Sequence, residues 1–231
     1  MRYTTLLVTD RGVRLADLHL RRLEPEGPEV ADAFRAFAAS APPGVHALLA
    51  DHGVLQVRPR PPSMLFDGMP VRFATSPLAG TPGPIDKPAP PSPFDAVRLP
   101  GVATLLTDAA GREILEACCA AVVAWQDGWV APLADRPVVR SVALAAMREA
   151  MPVRLAPLPT DSRAPLLLLN AVVGACVPCV PGRAAPPPAA VAAVRAVLDR
   201  FERWEGGAWG PARRRSASRG PCAGNRTGRQ Q

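Results

Sequence analysis

Lysine is nearly absent from this chain. Of 27 basic side chains, 26 are arginines and one is Lys87. An arginine keeps its proton at any accessible pH, so almost none of the positive charge can serve as an amine nucleophile or a base. That chemistry is confined to Lys87 and the α-amino group. The plain alternative for Lys87 is a leftover surface charge, the usual place of a lysine. Long apolar runs are missing too. Residues 166–169 are apolar but far too short to span a bilayer, and no stretch of about 20 apolar residues exists, so no membrane-spanning helix is expected. The opening Met1-Arg2-Tyr3-Thr4-Thr5 has no apolar signal core. Cysteines are few and odd in number (Cys118, Cys119, Cys176, Cys179 and Cys222), which points to a reduced, cytoplasmic setting.

Acid is lacking where base is densest. Residues 211–231 carry six arginines and no carboxylate, so they hold six of the seven net positive charges, and the first 210 residues are within one charge of neutral. A nearly neutral body does not argue for nucleic-acid binding, despite the pI of 10.1. Residues 207–231 read as a disordered basic tail, able at most to touch nucleic acid or acidic partners weakly.

What is present is 48% apolar residue, enough for a core, and 29 prolines. Residues 4–8 and 13–15 are short strand candidates about the turn Asp10-Arg11-Gly12. Residues 17–23 and 28–40 have helical spacing. Residues 45–50 and 54–58 read as a hairpin about Asp51-His52-Gly53, and residues 69–74 resume the sheet. This makes residues 1–78 a small α/β domain. Residues 79–93, rich in Pro and Gly, read as a linker with Lys87 inside it. Residues 94–206 form a larger α+β domain of short strands, with one helix opened by Pro137 and a final helix over residues 187–204.

Five segments, in order, resemble the class IV aminotransferases, the fold-type IV pyridoxal-phosphate enzymes. Tyr3-Thr4-Thr5-Leu6 resembles their opening strand, and His19-Leu20-Arg21-Arg22-Leu23 their HxxRL motif. Residues 114–122, with Trp125 and Asp127-Gly128, are similar to the segment that carries their glutamate. Pro137-Val138-Val139-Arg140 resembles a helix start, and Leu169-Asn170-Ala171-Val172-Val173-Gly174 a turn with Pro178 behind it. The match runs from residue 3 to about 182. Within the class, the cysteine-bearing segment is most similar to 4-amino-4-deoxychorismate lyase and its relatives. The resemblance implies a two-domain α+β fold with a strand-rich pseudo-barrel in the larger part, pyridoxal 5'-phosphate as cofactor, a small amino substrate, and a homodimer. It implies that Lys87 bonds the cofactor, that Glu116 pairs with its pyridine nitrogen and that Arg22 holds its phosphate. The backbone at Val138-Val139 and at Asn170-Ala171 would complete the phosphate cradle. The reaction would be pyruvate elimination giving 4-aminobenzoate, or transamination.

These roles suit the residue types. A lysine desolvated near cations loses its proton more readily, a carboxylate keeps the ring nitrogen protonated, and a phosphate needs a fixed cation and backbone N–H groups. Other readings stand beside them. Glu116 also fits a solvated strand end, Arg22 a surface arginine, and His19 a packing or capping residue. Cys176-Val177-Pro178-Cys179 has CxxC spacing, so zinc has to be weighed; buried thiols fit the apolar neighbours better, and no metal is expected. The chain also departs from the pattern. Prolines follow Lys87 at 88, 90, 91 and 93 where the class has a helix, and Ala121 stands in place of an asparagine. A non-catalytic homologue that keeps the fold as a binding or structural protein is the second reading.

Overall fold

A computed structural model describes residues 1–62, 64–205 and 208–211. Six strands form one antiparallel sheet in the order β14 (Ala208–Pro211), β13 (Phe201–Glu205), β2 (Gly12–Arg14), β1 (Arg2–Thr9), β3 (Gly44–Asp51) and β4 (Val54–Arg60). Strand β1 alternates. Thr4, Leu6 and Val8 turn to one side, where helices α1 (Ala16–Leu23) and α2 (Pro28–Ser40) bury Leu20, Leu23, Val30 and Phe34 against them. Tyr3 and Thr5 turn to the other side. Gly12, at φ +110°, lets β13 approach: a Cβ there would lie 2.4 Å from the Glu202 carbonyl oxygen, so no other residue fits.

A five-stranded sheet runs β10 (Val153–Leu155), β9 (Trp129–Ala131), β8 (Ala121–Trp125), β11 (Leu166–Asn170) and β12 (Gly174–Cys176). Its β10–β9 pair is parallel and the others antiparallel. The four-leucine run of β11 is a strand buried on both faces. Leu167 and Leu169 meet helices α3 (Val142–Ala150) and α4 (Pro188–Leu198), while Leu166 and Leu168 meet a three-stranded sheet of β5 (Val71–Thr75), β6 (Ala103–Thr107) and β7 (Ile114–Ala117). The whole is the α+β arrangement expected.

Three expectations need correcting. The final helix does not extend over residues 187–204: α4 ends at Leu198, and β13 returns to pair with β2. Arg200 explains the return locally, since it pairs with Asp17 at 2.6 Å and its carbonyl accepts from Leu15 N at 3.0 Å. Residues 71–75 do not resume the first sheet but pair in parallel with β6, so chain order and sheet membership part company at both ends of the expected small domain. Residues 208–211, expected in the tail, form β14. Residues 212–231 lie outside the described residues. Among the described residues no helix is long and apolar enough to cross a membrane.

Candidate active site

A cavity of about 530 Å³ opens between the six-stranded sheet, β7, the start of α3 and the proline-rich segment after Lys87. Lys87, Arg22, Glu116, Val139, Asn170 and Ala171 all line it; Val138 does not. Sixty-five residues of sequence separate Arg22 from Lys87, and the fold brings both to one wall.

Lys87 sits in an irregular stretch held from behind. Ile85 N donates to the Val138 carbonyl at 3.0 Å, and Arg140 N donates to the Ile85 carbonyl at 2.9 Å. The Lys87 Nζ donates to Thr5 Oγ1 at 3.1 Å and stands 5.2 Å from the centroid of the Tyr3 ring. The side chain is partly exposed because it borders the cavity. Burial of the ammonium lowers its pKa most; Arg22, then Arg60 and Arg98, lower it further, to about 7. An amine with that pKa is substantially unprotonated at neutral pH, as a surface lysine is not.

Glu116, on β7, is 4% exposed. Its Oε2 accepts from Val139 N at 3.2 Å, and its Oε1 is buried with no partner. Burial pushes its pKa up to about 8. A buried carboxyl oxygen without a partner is costly, and a donor entering the cavity would satisfy it. Arg22 lies in the last turn of α1. Burial pulls its pKa down to about 10 against the pull of Asp86, and the charges of Arg2 and Arg140 lower it further. His19, one turn earlier, is fully buried with Nδ1 at 2.7 Å from Thr4 Oγ1. Burial, then Arg22 and Lys87, holds its pKa well below the usual value, so it stays neutral.

The helix start expected at Val138-Val139 is absent. Those residues are extended, clamping Ile85 and Glu116. Helix α3 begins at Val142, because Ser141 is its N-cap, its Oγ accepting from Leu144 N at 3.2 Å. The N–H groups of Val142 and Ala143 have no partner within the helix, and Ser141, Val142 and Ala143 line the cavity. The Asn170 side chain is spent on its own turn: Oδ1 accepts from Val172 N at 2.7 Å and Val173 N at 3.1 Å, and Nδ2 donates to the Cys119 carbonyl at 2.6 Å.

Sequence reasoning missed Thr5, Tyr3, Arg60, Arg98 and Ser141 as cavity residues. Tyr3 and Thr5 were findable, since a strand places alternate residues on one face. Ser141 was findable as a cap before an apolar run. Arg60 and Arg98 left no signal among so many arginines. Among the described residues no group of three or more His, Cys, Asp or Glu could hold a metal ion.

The chain has the fold of the fold-type IV pyridoxal-phosphate enzymes. It is similar in structure to 4-amino-4-deoxychorismate lyase from Pseudomonas aeruginosa, at 21% identity and TM-score 0.60, over 85% of this chain and 89% of that one. It is similar to the PLP-bound form of a hypothetical aminotransferase from Mycobacterium tuberculosis, at 18% identity and TM-score 0.57, over 86% and 88% of the two chains. A fold IV-transaminase from Curtobacterium pusillum matches at 16% identity and TM-score 0.54, over 85% and 83%. No protein-family profile matches the chain, and no curated protein sequence matches it.

Proposed function

We propose that the protein is a pyridoxal-phosphate-dependent enzyme of small amino substrates, acting as a 4-amino-4-deoxychorismate lyase that releases pyruvate and 4-aminobenzoate, a step toward folate. The observation that carries this is the setting of the one lysine: an amine of lowered pKa shares a cavity with Arg22 and with a buried carboxyl oxygen that has no partner. The residues fit the cofactor. Glu116 Oε1 would pair with the ring nitrogen, while Arg22 and the free N–H groups of Val142 and Ala143 would hold the phosphate. When bound, the cofactor supplies an electron sink for a carbanion on the substrate.

The chain's own groups do the rest. Lys87 Nζ, unprotonated in part at neutral pH, is a nucleophile toward an aldehyde, and once free it is the base that takes a proton from the substrate α-carbon. Thr5 Oγ1 and the Tyr3 ring hold that amine in place. Glu116, whose carboxyl pKa burial pushes up to about 8, would hold one proton between Oε1 and a ring nitrogen placed against it. Val139 N fixes the carboxyl from behind.

Aminotransfer is the second reading, supported by the similarity to the two transaminases. A non-catalytic homologue is the third, supported by the prolines that replace a helix after Lys87. A homodimer in the cytoplasm completes the proposal; the free thiols of Cys118, Cys119, Cys176 and Cys179 suit a reducing compartment.

Reductive trapping tests the reading. With pyridoxal phosphate and borohydride, one cofactor per chain should be fixed on Lys87, and Lys87→Ala should lose it. Only the α-amino group competes, so peptide mapping gives a clean answer. A folded chain that takes up no cofactor would overturn the proposal. A Lys87 adduct with no turnover on 4-amino-4-deoxychorismate, and none on amino acids, would select the non-catalytic homologue.

A further inference from the structure

The cavity wall carries more base than acid. Arg22, Arg60, Lys87 and Arg98 line it, against Asp95 and Glu116. The two acids do not offset the excess. Glu116, with its pKa pushed up to about 8, keeps its proton at neutral pH. Asp95 lies nearest Arg98, at 3.7 Å, and its other oxygen accepts from Ser92 N at 2.8 Å. Asp86, next to Lys87 in the chain, is taken by Arg2 at 3.3 Å and Arg140 at 3.2 Å. Among the described residues neither Lys87 nor Arg22 has a carboxylate within ion-pair distance.

Lys87 stands inside this positive field with one hydrogen bond, from Nζ to Thr5 Oγ1 at 3.1 Å. A neutral amine so held keeps its lone pair for whatever enters the cavity. Burial first, then Arg22, Arg60 and Arg98, makes the neutral form accessible. The same arginines would stabilise an anion formed on that nitrogen. The Arg22 guanidinium makes no hydrogen bond among the described residues, so its donors are unspent. Electrophiles differ in what they leave behind. An aldehyde condensed with the amine leaves a neutral or cationic imine, and the positive excess stays. Carbon dioxide leaves an anion, and the excess falls.

We propose that Lys87 is also a carbon dioxide acceptor: its unprotonated Nζ forms a carbamate whose negative charge the cavity arginines stabilise, so that carbon dioxide and an aldehyde compete for one amine. The nitrogen lone pair forms the N–C bond, one C–O π pair moves onto oxygen, and one N–H proton leaves to water. Nothing is oxidised or reduced. The proposal goes beyond the enzyme reading and does not rest on it, since it needs the amine and its cations but no cofactor.

The single lysine makes the test clean. The full chain is equilibrated with ¹³C-labelled bicarbonate at neutral pH, and carbamate carbons are counted by NMR. The α-amine and Lys87 are the only amines, and Lys87→Met should erase one signal and keep the other. Alkylation with a trialkyloxonium salt, followed by peptide mapping, places the label. Arg22→Gln should lower the formation constant of the Lys87 carbamate about tenfold, the low end of what a neighbouring opposite charge does. Arg98→Gln, at a half-exposed site, should lower it by less and reports on the same field if the first variant fails to fold. In the wild-type chain, bicarbonate should slow borohydride trapping of pyridoxal phosphate on Lys87, relative to chloride at equal ionic strength. A carbamate on the α-amine alone, or a Lys87 carbamate unchanged in both arginine variants, would overturn the proposal. Cofactor trapped on Lys87 with no Lys87 carbamate would sink this proposal alone. A Lys87 carbamate in a chain that takes up no cofactor would sink the enzyme reading alone.

Discussion

The two walls of the cavity are built in opposite ways. On one side stand β1, the last turn of α1, β7 and the start of α3. These present Thr5, Arg22, Glu116 and Ser141 from regular elements whose other faces lie in the core. On the other side lie residues 88–102, with four prolines at 88, 90, 91 and 93, a single 3-10 turn (Pro93–Ala96), and side chains at Arg98 and Leu99 that are 46% exposed. The difference separates two tasks. On the proposed reading, the phosphate and ring nitrogen would meet fixed partners on the regular elements, and the substrate would face the irregular wall, where a change costs the core little.

The largest expected effect is that of Lys87→Arg, at the amine that donates to Thr5 on the ordered wall. It should abolish the trapped cofactor outright while leaving the chain folded, because a guanidinium neither loses its proton nor condenses with the aldehyde; peptide mapping after borohydride reads it. Arg22→Ala should weaken cofactor affinity by about 1.5–3 kcal/mol, or roughly 10- to 150-fold, the range for a hydrogen bond to a charged group. Equilibrium titration of cofactor absorbance measures this, and an unchanged affinity would remove Arg22 from the phosphate end.

The pH dependence of stability comes next. Glu116 titrates near 8 when folded against an ordinary 4.5, so the folded state holds an extra proton between those values and stability falls as pH rises from about 4.5 through 8. Lys87 titrates near 7 against 10.5, so the unfolded state holds the extra proton there and stability rises with pH from about 7 through 10.5. The cofactor-free chain should therefore be least stable between pH 7 and 8 in urea unfolding. Glu116→Gln should flatten the acid limb and keep the alkaline one; persistence of the acid limb would show that Glu116 is not its source.

The smallest effects sharpen the contrast most directly. Ser141→Ala removes the α3 cap and should cost about 1 kcal/mol, a drop of about 2–4 °C in melting temperature. Leu99→Ser, on the irregular wall, should stay within about 0.5 kcal/mol. Equal losses at the two sites would mean that residues 88–102 are as much a part of the folded core as α3.

Much of this was legible in order but not in place. The alternation in residues 4–8, the helical spacing of residues 17–23 and the leucine run at 166–169 each mark an element that the structure contains. The segment at 187–204 misled because Phe201 and Trp204 continue the apolar spacing past Leu198, and local periodicity carries no information about the partner strand β2. The helix expected at Pro137 misled for a related reason. Proline suits a first helical turn, yet here residues 138–140 are held extended by Ile85 and Glu116, 53 and 22 residues away at their nearest members, and Ser141 takes the cap instead.

Composition alone settled that one side chain, Lys87, was available for amine chemistry, because 26 arginines cannot supply it. Whether that amine is active at neutral pH was a tertiary matter. Desolvation and the nearness of Arg22, Arg60 and Arg98 set its proton affinity, and none of those is a property of neighbours in sequence. The same holds for Glu116, whose unpartnered Oε1 exists only because β7 carries it into a cavity closed by elements from the other end of the chain. Residue type is written in the sequence, whereas field and burial depend on distance, which only the folded chain defines.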